Sequence, residues 1–138
     1  MMICPKTSSD MTPIIDKIET LPEKNRALVA ARIEELIEEE IHANAGLTLG
    51  EYYIETMEGI LGRKIDGRRT LDNFYARVVI AVCLYDAGYT QVLIGKVLHR
   101  NHSTVHYYLN TWLDAKEYPS AYANLIWLYD KFTNTIAQ

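Results

Sequence analysis

The residues best equipped for chemistry lie in one stretch, Thr90–Leu113 (TQVLIGKVLHRNHSTVHYYLNTWL). Arg100, Asn101, His102, Ser103 and Thr104 follow one another, and Tyr107 and Asn110 come at helical spacing behind them. Their side chains donate and accept hydrogen bonds as base edges in a DNA groove require. Arg100 suits phosphates and guanine edges, and Lys96 adds a second charge nearby. With Val105 set to zero and about 100° per residue, Leu109, Trp112 and Tyr108 fall near about 40°, 340° and 300°. Ser103, Tyr107 and Asn110 fall near about 160°, 200° and 140° on the same construction. His106 and Thr104 flank this outer face, and His102 falls nearer the apolar edge. One side is apolar and the other polar, as a recognition helix needs: one face locks to a supporting helix and the other meets the groove.

The supporting elements can be read around it. A helix from Thr90 to Leu98 precedes the turn, with Thr90 as N-cap and Ile94, Val97 and Leu98 facing inward. Gly95 either admits a close partner helix or is a tolerated helix glycine costing about 1 kcal/mol. Upstream, Arg63-Lys64-Ile65-Asp66-Gly67-Arg68-Arg69 is a basic loop turning at Asp66-Gly67. It reads as a connector or as a contact for phosphate or the minor groove. Thr70 or Asp72 opens a helix over Asn73–Asp86 whose apolar content marks it as central, and Ala87-Gly88 ends it. Thr48 and Glu51 form a capping box for a helix stopped by Gly62. Tyr118-Pro119-Ser120 breaks the chain, and Ser120 caps a last helix to about residue 133. The expectation is all-α: a helical bundle with a helix-turn-helix over residues 47–138, preceded by an acidic helical N-terminal extension over 1–46.

In that extension Thr12-Pro13 opens a short helix to about Leu21. A long amphipathic helix then runs from Pro22 to about Asn44 and ends at Asn44-Ala45-Gly46. Leu28, Val29, Ile33, Leu36, Ile37 and Ile41 form its apolar stripe, and Glu34, Glu35, Glu38, Glu39 and Glu40 its other side. Two readings stand: a solvated acidic face over a core-facing stripe, or a helix for a homodimer or protein partner.

The second block resembles domain IV of the bacterial replication initiator DnaA, the domain that binds origin boxes. Ile94-Gly95 and Arg100-Asn101-His102-Ser103-Thr104-Val105 carry the resemblance. The family pattern at the second block is Arg-Asp-His-Thr-Thr-Val. Likeness extends weakly from Thr48 to Asn134, about two thirds of the chain. It implies that Asn101, His102, Ser103 and Thr104 reach bases in the major groove. This chain departs from the pattern in several places: Asn101 replaces an acidic residue, Val92 stands where Pro is frequent, and the turn is one residue shorter. The family's minor-groove arginine aligns near Phe74, which leaves Arg68, Arg69 or Arg77 to supply that role. Initiator activity is not implied, because there is no GxxxxGK[ST] phosphate loop and no room for an ATPase domain.

Net charge is −4, but it is unevenly spread. Residues 1–61 hold five Lys/Arg and twelve Asp/Glu, residues 62–116 eight and four, and residues 117–138 one and two, giving −7, +4 and −1. Positive charge therefore coincides with the basic loop and the helix-turn-helix, and local sign governs attraction to phosphates within a Debye length of about 8 Å. Cys4 and Cys83 suggest no disulfide framework and fit a reducing cytoplasm. The start MMICPKTSSD is not a secretory signal, and the apolar run VVIAVCLY is far short of a membrane span. His102 and His106 share a helix spacing but lack further ligands, so neither a metal nor a cofactor is expected. No nucleophile or carboxylate pair points to an enzyme. The expected function is sequence-specific binding of double-stranded DNA in replication or transcription control. The alternative is a protein-interaction module that keeps the fold without DNA binding. The expected contacts are Arg100, Asn101, His102, Ser103, Thr104, Tyr107, Asn110 and Lys96, with Arg63, Lys64, Arg68 and Arg69 on the backbone.

Overall fold

A computed structural model describes residues 22–138, so the helix expected over Thr12–Leu21 lies outside the described residues. These residues form α1 (Glu23–Leu61), α2 (Leu71–Asp86), α3 (Gln91–Leu98), α4 (His102–Glu117), a 3₁₀ turn (Pro119–Tyr122) and α5 (Ala123–Ile136). The fold is all-α, as the periodicity requires. Contacts divide the chain into two units, Met1–Ile41 and His42–Gln138.

In the second unit α2 is the centre. Thr70 starts it, with an extended backbone and a hydroxyl that accepts the Asn73 N–H at 3.2 Å. Every residue from Ala76 to Leu84 is buried, so the helix is covered on all sides, by α3, α4 and α5 among others. Full burial of Val78, Val79 and Ile80 contributes about 1.5–3 kcal/mol each. Tyr53 and Met57 of α1 join this core, and the Tyr53 ring meets Phe132 of α5 edge-on at 5.2 Å. Gly88, with φ 97°, ends the α2 turn as expected, and Gly62, with φ 74°, ends α1.

Three expected helix boundaries are overturned. α1 does not stop at Asn44-Ala45-Gly46; it runs unbroken from Glu23 to Leu61. Thr48 caps nothing, because its hydroxyl donates to the Asn44 carbonyl at 3.1 Å, one turn back. The glycines serve packing instead. A Cβ on Gly46 would lie 2.7 Å from the Tyr89 ring, and one on Gly50 2.6 Å from the Val97 methyls. Ser120 does not cap the last helix either. It lies inside the 3₁₀ turn, and α5 begins at Ala123 with no side-chain cap, anchored by buried Leu125, Leu128 and Phe132.

Within Glu23–Ile41 of α1 the stripe is not core-facing. Leu28, Leu36, Ile37 and Ile41 are 62%, 47%, 52% and 63% exposed. A lone helix offers no second apolar layer among the described residues of this unit. Arg32 pairs with Glu35 at 2.8 Å, an exposed i,i+3 contact worth little.

Candidate nucleic-acid interface

Three residues, His99, Arg100 and Asn101, link α3 to α4. His99 sits in the left-handed region at φ 55°, ψ 45°, a conformation that histidine tolerates better than most side chains. Its N–H and that of Arg100 both turn back to the Gly95 carbonyl, the latter at 2.9 Å. A Cβ on Gly95 would strike the Arg100 carbonyl. The glycine is therefore demanded by the turn, not by a neighbouring helix.

Asn101 then caps α4. Its carboxamide oxygen accepts the Thr104 N–H at 2.8 Å and the Thr104 hydroxyl at 3.0 Å. This satisfies an otherwise orphaned donor of the first turn and leaves the Asn101 amide nitrogen to face outward partners. His102 is exposed, not at the buried edge, because the first turn of α4 projects beyond its packed face. Ser103 and Tyr107 are exposed as well, and Thr104 is half-buried. The inward face holds Val105, Tyr108, Thr111 and Ala115, while Trp112 stacks on Tyr129 at 4.3 Å. The polar side of α4 is split. Thr104 and Tyr107 line one cleft with Arg69, Arg77 and Arg100. Asn110 lines another with His106, Trp112 and Tyr129.

The basic loop is folded onto α2 through Asn73, which is fully buried. The Asn73 amide donates to the Asp66 carboxylate and the Arg68 carbonyl, both at 3.0 Å, while its oxygen accepts from Arg63 at 2.7 Å. Ile65 N–H is held by the Glu58 carboxylate at 2.9 Å. Asp66 accepts the Arg68 N–H at 2.9 Å and the Arg68 Nε at 2.7 Å. These bonds, the Arg68 backbone N–H first, hold its carboxyl below the usual carboxylate range.

This folding sorts the cations that the sequence left equivalent. Arg63 serves Asn73 and lies 3.9 Å from Asp72, Lys64 lies 4.0 Å from Glu58, and Arg68 closes on Asp66. Arg69, Lys96 and Arg100 have no carboxylate at ion-pair distance among the described residues. Neither has Arg77, which is only 8% exposed and donates to the Asp66 carbonyl. Burial first, then the neighbouring Arg100 charge, pushes the Arg77 guanidinium below its usual value. Asn73 was not among the expected site residues, and Arg77 was named only for the minor-groove role that the resemblance implies. Their signal was present: a lone arginine inside the apolar run Phe74–Leu84, and an asparagine one turn behind a basic loop.

Cys83 is a buried free thiol, and burial followed by the Asp86 charge pushes it up to about 12. Among the described residues no three His, Cys, Asp or Glu side chains cluster to hold a metal, and no helix is long and apolar enough to cross a membrane.

No family model, curated protein or solved structure matches the chain.

Proposed function

We propose that residues 62–116 bind double-stranded DNA, with α3 and α4 acting as a helix-turn-helix and the first turn of α4 entering the major groove. The observation that carries this reading is the set of cations without a carboxylate partner among the described residues, Arg69, Lys96 and Arg100, around the exposed Asn101–Ser103 segment. Unpaired surface cations release counter-ions from phosphates, whereas Arg68, already held by Asp66, has less to offer. His102, Ser103 and the Asn101 amide supply base-edge groups. The likeness to DnaA domain IV in the Arg100–Val105 block supports the same use of the fold, in replication or transcription control, and the cysteines Cys4 and Cys83, which suggest no disulfide framework, fit a reducing cytoplasm. The chain acts here as a binder, not an enzyme. Selection from random duplexes, followed by gel shift across a salt series, tests the reading. Recovery of a preferred site with salt-weakened affinity supports it, and no duplex binding at low salt overturns it.

A second reading has its own observation. Leu28, Leu36, Ile37 and Ile41 present exposed apolar surface on an acidic helix, which suits a second copy or a protein partner. Sedimentation over a range of concentrations tests it, since self-association through this stripe should be lost in Ile37→Asp.

A further inference from the structure

We propose that the cleft between the Gly67–Leu71 segment, α2 and α4 binds an unpaired nucleotide, its phosphate on Arg69, Arg77 and Arg100 and its base on the ring of Tyr107. This goes beyond duplex binding, and shares Arg69, Arg100 and Tyr107 with the contacts expected for it.

The cleft encloses about 810 Å³, within the roughly 300–1,000 Å³ of small-ligand sites. Three arginines line it and no carboxylate does. Arg77 is the telling member. Its side chain is only 8% exposed, no carboxylate lies at ion-pair distance among the described residues, and Tyr108 and the more distant Asp66 charge, already held by Arg68, offset its burial only in part. A phosphate would supply the missing charge and accept the short charge-assisted bonds that guanidinium groups make best. Arg100 stands next to Arg77, and its guanidinium is steadied by the His99 carbonyl at 2.9 Å. Two like charges held together favour a dianionic ligand over a neutral one.

The other wall is aromatic. Phe74 packs against Tyr107 at 5.6 Å and Tyr108 at 5.7 Å. No base fits between rings so close. Tyr107 is nonetheless 60% exposed, so its outer face remains as a stacking platform. Stacking on an aromatic face tolerates any base and needs that base free of its own partner. Arginines alone would suit inorganic phosphate; arginines beside an uncovered tyrosine ring suit a nucleoside 5′-phosphate. The source is either a free mononucleotide or a nucleotide at a strand end.

Titration of the full chain with dAMP, followed by NMR of the tyrosine and phenylalanine rings, tests the site. Deoxyadenosine and inorganic phosphate serve as controls. The expected result is saturable binding of dAMP that moves the Tyr107 ring signals, with phosphate weaker and the nucleoside undetected. Arg100→Gln should lower dAMP affinity about tenfold, as loss of a charge-assisted bond implies. Tyr107→Leu should weaken dAMP but leave phosphate binding unchanged. Arg77→Lys, checked for folding by circular dichroism, keeps the charge but loses the guanidinium fork, so it should also weaken dAMP. Blunt duplex and the same duplex with one unpaired 5′-phosphorylated nucleotide separate the sources. Preference for the overhang assigns the site to a strand end, and dAMP binding without that preference assigns it to a free nucleotide. Phosphate binding as tight as dAMP overturns the nucleotide assignment. So does a folded chain that binds neither dAMP nor the overhang selectively, whatever its affinity for blunt duplex.

Discussion

Ile37 and Ile80 are the same residue in the same secondary structure, yet one is half exposed and the other has no accessible surface. Ile37 belongs to the Glu23–Ile41 stretch of α1, where apolar residues recur at helical spacing among glutamates. Ile80 sits in α2, buried on every side. Periodicity identifies both helices equally well. What it cannot supply is the second layer: burial comes from neighbours, and α2 has several helices packed around it. An uncovered stripe and a saturated core therefore grow from similar sequence patterns.

The same substitution in both places breaks the comparison open. Ile80→Ala should cost about 2–5 kcal/mol in urea unfolding, because it leaves a cavity in a packed core. Ile37→Ala should fall within about 0.5 kcal/mol at low protein concentration, as for any exposed position. A penalty at Ile37 that grows with concentration would show the stripe covered by a second copy.

Glycines give a sharper version. Gly95→Ala drives a methyl group into the Arg100 carbonyl and should destabilise by about 1–3 kcal/mol, as overpacking does. Gly59, also helical, has open space where its Cβ would be, so Gly59→Ala should stabilise by about 0.5–1 kcal/mol. Thermal melts of the two variants should move in opposite directions.

The cations divide likewise. Arg100→Ala should weaken duplex binding about tenfold and reduce the salt slope by about one. Arg68→Ala should do less, since its guanidinium is already held by Asp66. Equal losses would mean that Arg68 leaves Asp66 to meet the phosphate.

The smallest effect concerns pH. The Asp66 carboxyl is lowered in the folded chain, so its contribution is present above its unfolded value of about 3.9. It is lost as pH falls through the lower folded value. Amide exchange in Ile65–Arg69 should accelerate below about pH 4 while α2 stays protected. Asp66→Asn should abolish that difference.

Much of this was legible in the residues. Caps at Thr90 and stops at Gly62 and Gly88 rest on local chemistry, and local chemistry decides them. Gly46 shows where that logic ends. Beside Asn44 it reads as a helix terminus, but the Tyr89 ring and Leu93 lie against it, and tertiary approach keeps the glycine inside a continuous helix. The interface divides on the same line. The polar run Arg100–Thr104 is visible in one dimension, and so is its alternation with Val105 and Tyr108. The pairing of Arg68 with Asp66 and the burial of Arg77 depend on a loop folding back onto a helix, which no periodicity encodes. Asn101 also looked like a group for bases, and half of its hydrogen-bonding capacity turns out to hold Thr104.

Asn73 has a consequence in entropy. By tying Arg63, Asp66 and Arg68 to one buried amide, it fixes the backbone of the basic loop during folding, not on contact with an anion. A flexible loop of the same charge would lose chain freedom on each binding event, at about 1–2 kcal/mol per residue ordered. The loop of this chain meets its ligand with that freedom already gone, so its charges act with little conformational penalty. Calorimetry of Asn73→Ala would separate the two contributions, because the cations would remain while binding acquired an added unfavourable entropy at an unchanged salt slope.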